Sequence, residues 1–385
     1  MRRTTFDAEL VGFRTTIRAF IEAEVVPSFG RWYQDGLVPR EFYYRLGDLG
    51  IFGLEVPVEF GGAGRDSLAY RGVLAEEIAR AAVSFGGASA HLGRCLPLIT
   101  ALATPAQQAR WLPGIISGDT MFALAVAEPG TGTEPEGMRT TAPQTAEGTY
   151  VLNGSKTYVI GGVHADRVIV CARTAPPRPD DPSFGLSLLV VDTSAPGFLV
   201  GRRLDTLGRK VGGTAELTFT DVRVPATDLL GDPHRAAAHL AAQLPQQRLN
   251  IALGAYARAK AAIRFARDHT RDRLPVARPV AAVQHSKFEL AGCRAEVDAI
   301  EAVIDRALAA HDSAALDPAH AASAELFATE TATRVIDRCL QLHGGAGYLT
   351  DSPIARLYAD HRVDRIQGGD SSDTLRTVIA TDMGL

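Results

Sequence analysis

Cysteine, long apolar runs and excess charge are all scarce in this chain of 385 residues. The four cysteines, Cys95, Cys171, Cys293 and Cys339, stand far apart, without a CxxC pair or metal-ligand spacing. That pattern argues for reduced thiols and against a disulfide framework or a cysteine-held metal. No apolar run approaches the ~18 residues of a membrane-spanning helix. Arg2-Arg3 is not followed by an apolar export region, because charges interrupt the stretch from Phe6 to Ile21. A net charge of -4 gives no basic field for nucleic acid or an anionic membrane surface. The expectation is a soluble, cytoplasmic protein with neither partner and no metal. What is present is ordinary for a globular chain, with 46% hydrophobic and 22% charged residues. The length suffices for roughly two or three domains.

Three stretches of different hydrophobic period follow one another. Residues 1–118 read as a helical domain. Phe13, Ile17, Phe20 and Ile21 recur at helical spacing, as do Leu74, Ile78 and Ala81. The breaker cluster Val56-Pro-Val-Glu-Phe-Gly-Gly-Ala-Gly64 between them reads as a loop. Over residues 119–231 the period falls to two, with strands expected at Phe122 to Val126, Val168 to Ala172, Leu186 to Val191 and Ala215 to Val224. Tyr150 to Ile160 reads as a hairpin turning at Asn153-Gly154. Strands without intervening helices suggest a small antiparallel β-barrel or sandwich. Residues 232–385 are helical again. Leu249, Ala252, Leu253, Tyr256, Ala259 and Ile263 form one apolar stripe, Val297, Ile300, Val303, Ile304 and Leu308 another, and Leu326 to Leu342 carries a third. With a helix after Gly369, these suggest a four-helix bundle. The fold class expected is α+β and multidomain.

Near the C-terminus, Gln341-Leu-His-Gly-Gly-Ala-Gly-Tyr348 is followed by Ser352-Pro-Ile-Ala-Arg-Leu-Tyr-Ala-Asp360 and then Arg365-Ile-Gln-Gly-Gly-Asp-Ser-Ser372. This succession closely resembles the C-terminal signature of the acyl-CoA dehydrogenase family. Glu59-Phe-Gly-Gly-Ala-Gly64, Ala127-Glu-Pro-Gly-Thr-Gly-Thr133, Leu152-Asn-Gly-Ser-Lys156, Thr220-Asp-Val-Arg-Val-Pro225 and Arg273 to Gln284 resemble further family segments in the same order. The resemblance implies FAD held between the β-domain and the bundle, with its adenosine end near a neighbouring subunit of a homodimer or homotetramer. It also implies an acyl thioester substrate, on coenzyme A or an acyl carrier protein, and an electron acceptor. Carried over residue by residue, the cofactor positions are Val126, Ala127, Thr133, Tyr158, Ile160, Arg273, Gln284, Gln341, Gly344 and Gly345. A diphosphate needs backbone N–H groups and a cation, which Gly344, Gly345, Thr133 and Arg273 can supply. A simple helix-ending turn also accounts for Gly344-Gly345-Ala346-Gly347.

The resemblance fails at the catalytic residue. The family removes an α proton with a glutamate while hydride leaves Cβ for the flavin, and that glutamate occupies one of two positions. Here the first is Gly368, or Gly369 if the stretch carries one extra residue. The second is Gln247, in Leu244-Pro-Gln-Gln-Arg-Leu249. Neither glycine nor glutamine can take the proton at neutral pH. Asp370 is the neighbouring carboxylate, read either as a substitute base or as a helix cap. Glu128 and Asp373 read as structural, and His343 as a loop or subunit contact. Arg248 reads either as a substrate ligand, with Gly369, or as one side of an interhelical pair. The flavin pocket departs too. Tyr158-Val-Ile-Gly161 replaces the family's Trp-Ile-Thr/Ser-Asn, Ala127 replaces a threonine, and Pro275 and Val276 replace two further contacts. Two functions are consistent with this. One is a flavoenzyme on acyl thioesters with atypical or redirected chemistry. The other is a degenerate subunit that completes the FAD site of an active paralogue in a hetero-oligomer.

Overall fold

The computed structural model of the chain describes residues 7–131, 137–272, 280–367 and 371–385. Its N-terminal third is helical: α1 (Ala8–Phe20), α2 (Val26–Asp35), α3 (Glu41–Asp48), α4 (Ala69–Ala81), the short α5 (Ala88–Ala90), α6 (Leu96–Leu102) and α7 (Pro105–Ser117). Two π-helical turns that the sequence pattern does not announce, Ile21–Val25 and His91–Cys95, join α1 to α2 and α5 to α6. Helix α7 starts on a capping box, where Thr104 accepts from the Gln107 N–H while Gln107 reaches back. It runs through Pro113 to Ser117 and ends on Gly118 in the left-handed region. The loop expected at 56–64 is present, with one 3-10 turn at Val58–Phe60.

The middle of the chain forms two sheets. One has the order β1 (Phe122–Ala125), β3 (Arg167–Arg173), β4 (Leu186–Asp192), β7 (Leu229–Leu230). The other has β2 (Tyr150–Val159), β6 (Ala215–Val224), β5 (Phe198–Arg203). The pair is a sandwich, not a closed barrel, and its inner faces share a core of Leu152, Val168, Val170, Leu189, Val191, Leu217 and Phe219. One pairing departs from the antiparallel expectation, since β1 runs parallel to β3. The expected hairpin over Tyr150 to Ile160 is instead one strand along β6, and Asn153-Gly154 marks a bulge in it. Gly154 has φ 143°, and a Cβ there would sit 2.7 Å from Thr140 Cα, so the bulge needs glycine. The true turn lies earlier, where Thr145 and Thr149 close a loop through Gly148. Strands β5 and β7 escaped the sequence pattern: β5 is exposed along most of its length and β7 has two residues.

The C-terminal third packs α8 (Ala236–Asp272), α9 (Gln284–Asp312) and α10 (Pro318–His343) against α11 (Pro353–Arg362) and α12 (Ser372–Asp382). Three helices are long; the fourth bundle member, α12, has 11 residues. On α8 the stripe Leu249, Ala252, Leu253, Tyr256 and Ala259 is buried, with Ile263 at its margin. It meets Ala324, Ala328, Ala332, Val335 and Cys339 of α10, small residues that let the two axes approach. No helix among the described residues is long and apolar enough to cross a membrane.

Candidate active site

Strands β1 and β2 bring the first group of site residues together. Past the end of β1, the Val126 carbonyl accepts from Lys156 Nζ at 2.8 Å and the Ala127 carbonyl accepts from the Thr157 N–H at 2.9 Å. Lys156 is fully buried and also donates to Glu128 Oε1 at 2.8 Å. Glu128 takes the Arg139 and Thr140 backbone N–H groups as well, at 2.7 and 3.0 Å. Burial alone would raise this carboxyl. The ammonium and the two amides outweigh it and hold Glu128 below the usual range. Glu128 is therefore a fastener of the pocket wall, as its structural reading required.

The same fastening presents Tyr158. Tyr158 is 70% exposed, and its backbone sits at φ 55°, a conformation costly for a bulky residue. Ile160 is half-buried two residues on. Gly161 then packs against Gly87 of the N-terminal region, where an added Cβ on Gly87 would fall 2.9 Å from Gly161 Cα. An exposed aromatic held on a strained backbone, beside the small side chain of Ala127, fits a flat aromatic ring laid over it.

A second group collects at one end of the bundle. Gln284 opens α9, and Gln341 lies in the last turn of α10 before Gly344 and Gly345; all four are exposed. Gly344 has φ 56° and space surrounds Gly345. His343 lies at the end of α10 rather than in the following loop, buried, with its ring stacked on His269 of α8 at 4.5 Å between centroids.

Gln247 and Arg248 lie toward the other end, beside the start of α10. Gln247 is half-buried inside α8. Arg248 is 3% exposed, and its Nη1 donates to the Pro318 carbonyl at 3.4 Å, which favours the interhelical reading. Thr133, Arg273, Pro275, Val276, Gly368, Gly369 and Asp370 lie outside the described residues. The N-cap of α12 is Ser371, whose Oγ accepts from the Thr374 N–H, while Asp373 pairs with Arg376.

Sequence reasoning missed Glu325, a buried carboxylate on α10, and Asp364, fully buried after α11. Asp364 takes Arg209, Arg258 and His361. Nothing in the hydrophobic period marks these positions, because a buried charge in a helix reads as a solvated face.

Helical, sandwich and bundle layers in this order, with an aromatic shelf at the sheet ends and a glycine turn closing the bundle, define a flavoprotein dehydrogenase scaffold. Family models for the acyl-CoA dehydrogenase N-terminal, middle and C-terminal domains match residues 7–119, 123–222 and 238–384, and the chain belongs to that family. It is 35% identical over 378 residues to the mitochondrial long-chain specific acyl-CoA dehydrogenase of Rattus norvegicus, covering 98% of this chain and 87% of that one. To an acyl-CoA dehydrogenase of Bacillus subtilis it is 32% identical, covering 97% of each. The crystal structure of acyl-CoA dehydrogenase from Geobacillus kaustophilus superposes with a TM-score of 0.94 at 32% identity, over 99% of this chain and 100% of that chain. FAD is the cofactor of this family.

Proposed function

We propose that this chain is a cytoplasmic FAD-dependent oxidoreductase that binds acyl thioesters, assembles as a homodimer or homotetramer, and performs chemistry other than ordinary α,β-dehydrogenation. The reading is supported by the fastened segment at the ends of β1 and β2 and by an amide, Gln247, where the family resemblance puts a base. Lys156, Glu128, Val126 and Ala127 hold that segment, whereas Gln247 is half-buried on α8 beside the buried Arg248.

In this reading Tyr158 carries the ring face of FAD, with Val126, Ala127 and Ile160 around it. Gln284, Gln341, Gly344 and Gly345 serve the adenosine and diphosphate end. Bound FAD supplies the group that exchanges hydride with the acyl Cβ. Gln247 can hydrogen-bond a substrate but cannot take its α proton, so it orients without acting as a base. A general base contributes typically 10²–10⁴-fold, so dehydrogenation and its reversal along the same path are both slow, and a flavin reaction that needs no α-proton transfer is favoured. A 3-(aryl)acrylate reductase of Clostridium sporogenes, 30% identical over 374 residues, belongs among the relatives.

The test is an absorbance spectrum of the protein purified alone after loading and removing excess FAD, followed by anaerobic titration with acyl thioesters. Retained flavin that acyl thioesters perturb but scarcely bleach supports the reading. Gln247→Glu then raises bleaching by ~10²-fold or more. Chain that retains no flavin alone, but completes a flavin site when mixed with a paralogue, transfers the conclusion to the degenerate-subunit reading.

A further inference from the structure

The turn between β5 and β6 touches both halves of the site. On one side Gly212 and Gly213 accept through their carbonyls from the Gly161 and Val163 N–H groups, at 3.0 and 3.2 Å, next to Tyr158 and Ile160. On the other side Arg209 reaches the bundle. Its backbone N–H donates to the Asp360 carboxylate, Nε to the Asp360 carbonyl at 3.3 Å, Nη2 to Asp364, and Nη1 to Gln367 Oε1 at 2.6 Å. Gly208 lies so close that an added Cβ would be 2.3 Å from the Ala359 carbonyl carbon. Arg209 itself adopts φ 50°, a conformation a bulky residue keeps only when its surroundings enforce it.

Asp364 is the centre of the anchor. It is fully buried, receives Arg209 and Arg258, and lies 3.0 Å from His361 Nδ1. His361 Nε2 in turn lies 3.0 Å from the Thr329 carbonyl of α10. The far flank of the same segment is held separately, where Arg376 pairs with Glu330 at 2.7 Å. Since a guanidinium only donates, Gln367 must present Oε1 to Arg209, which fixes the orientation of its amide.

We propose that Arg209 is a positioning residue: it sets Gln367, which leads into the Gly368-Gly369 pair that the resemblance places at the family's first base position, against the Tyr158–Ile160 end of β2. The β-domain face and the bundle face of the site then keep one spacing. This inference rests on the proposed function only for its ligand readout.

The experiment uses the full chain loaded with FAD, as wild type, Arg209→Met and Arg209→Lys. Amide hydrogen exchange is read by peptide, and acyl-thioester affinity by titration of the flavin spectrum. In Arg209→Met, exchange over Ala359 to Gln367 and over Tyr158 to Val163 is expected to speed about tenfold, the equivalent of one charge-assisted hydrogen bond. Peptides from the α8–α10 core stay unchanged, and thioester Kd rises by a similar factor. Arg209→Lys falls between, because one ammonium cannot fork to Asp364 and Gln367 together. Unchanged exchange at Ala359 to Gln367, or acceleration spread evenly over the chain, overturns the proposal, as does equal thioester affinity in all three proteins. If wild type binds no acyl thioester while the local exchange result holds, the enzyme reading fails and the anchor stands.

Discussion

Glu128 and Lys156 are 28 residues apart and meet inside one domain, whereas Arg209 and Asp364 are 155 residues apart and meet between two. Both clusters bury carboxylates, and both hold them below the usual range, because cations and N–H donors outweigh the burial that would raise them. Their surroundings differ. Lys156 has no exposed side chain and Glu128 almost none, while the Arg209 side chain remains 30% exposed. A sealed pair loses everything when one member is removed, since the survivor is a charge with no access to water. If Arg209 is lost, Asp364 is still buried but keeps Arg258 and His361 as partners. The first therefore acts as a rivet within the pocket wall, and the second as an adjustable joint between domains.

Lys156→Met is the strongest way to break that contrast. It should cost about 3–5 kcal/mol in urea unfolding, the expected loss when a buried pair keeps one charge. Pairing it with Glu128→Gln should recover a large part, because no charge is then stranded. A loss below about 1 kcal/mol in the single variant would mean that the Arg139 and Thr140 amides alone satisfy Glu128.

Acidity separates the two regions further. His91, in the π turn, accepts the Phe122 N–H at 2.9 Å and so anchors the start of β1. Burial pushes its pKa down to about 4. The unfolded chain protonates it near 6.5, so its share of stability is full above that pH and is lost as pH falls toward 4. The loss totals about 3 kcal/mol. Asp364 has the same sign in a more acidic window: its depressed carboxyl keeps its full contribution above about 4, the unfolded value, and loses it only below. Urea midpoints across pH 3–8 should show the first slope vanish in His91→Asn and persist in Asp364→Asn. Asp364→Asn itself should cost about 2 kcal/mol at neutral pH, roughly one charged hydrogen bond. It should also flatten the limb below pH 4.

The same contrast governs what the sequence discloses. Period-two strands, helical stripes and the order of domains could be read because each depends on near neighbours. Of the local rivet only the structural role of Glu128 could be read, from its family-like segment; its pairing with Lys156 could not. Nor could the joint. Arg209 and Asp364 pair across domains, and neither position has a periodic signature. The hairpin expected at Asn153-Gly154 failed for a related reason: the pair favours positive φ, which serves a bulge as well as a turn. Deciding between them needs the partner strand β6, more than 60 residues away along the chain.

The smallest effect tests where the joint ends. Ser371 caps α12, with its Oγ accepting from the Thr374 N–H at 3.2 Å, and Arg376 fastens that helix to Glu330 of α10. Ser371→Ala removes one cap and should cost about 1 kcal/mol. Because α10, not the β-domain, holds α12, the loss should appear as faster amide exchange in α12 alone. Exchange over Ala359 to Gln367 should not move. Faster exchange in both places would mean that α12 and the Arg209 anchor open as one unit, and the joint would then extend across the whole segment between them.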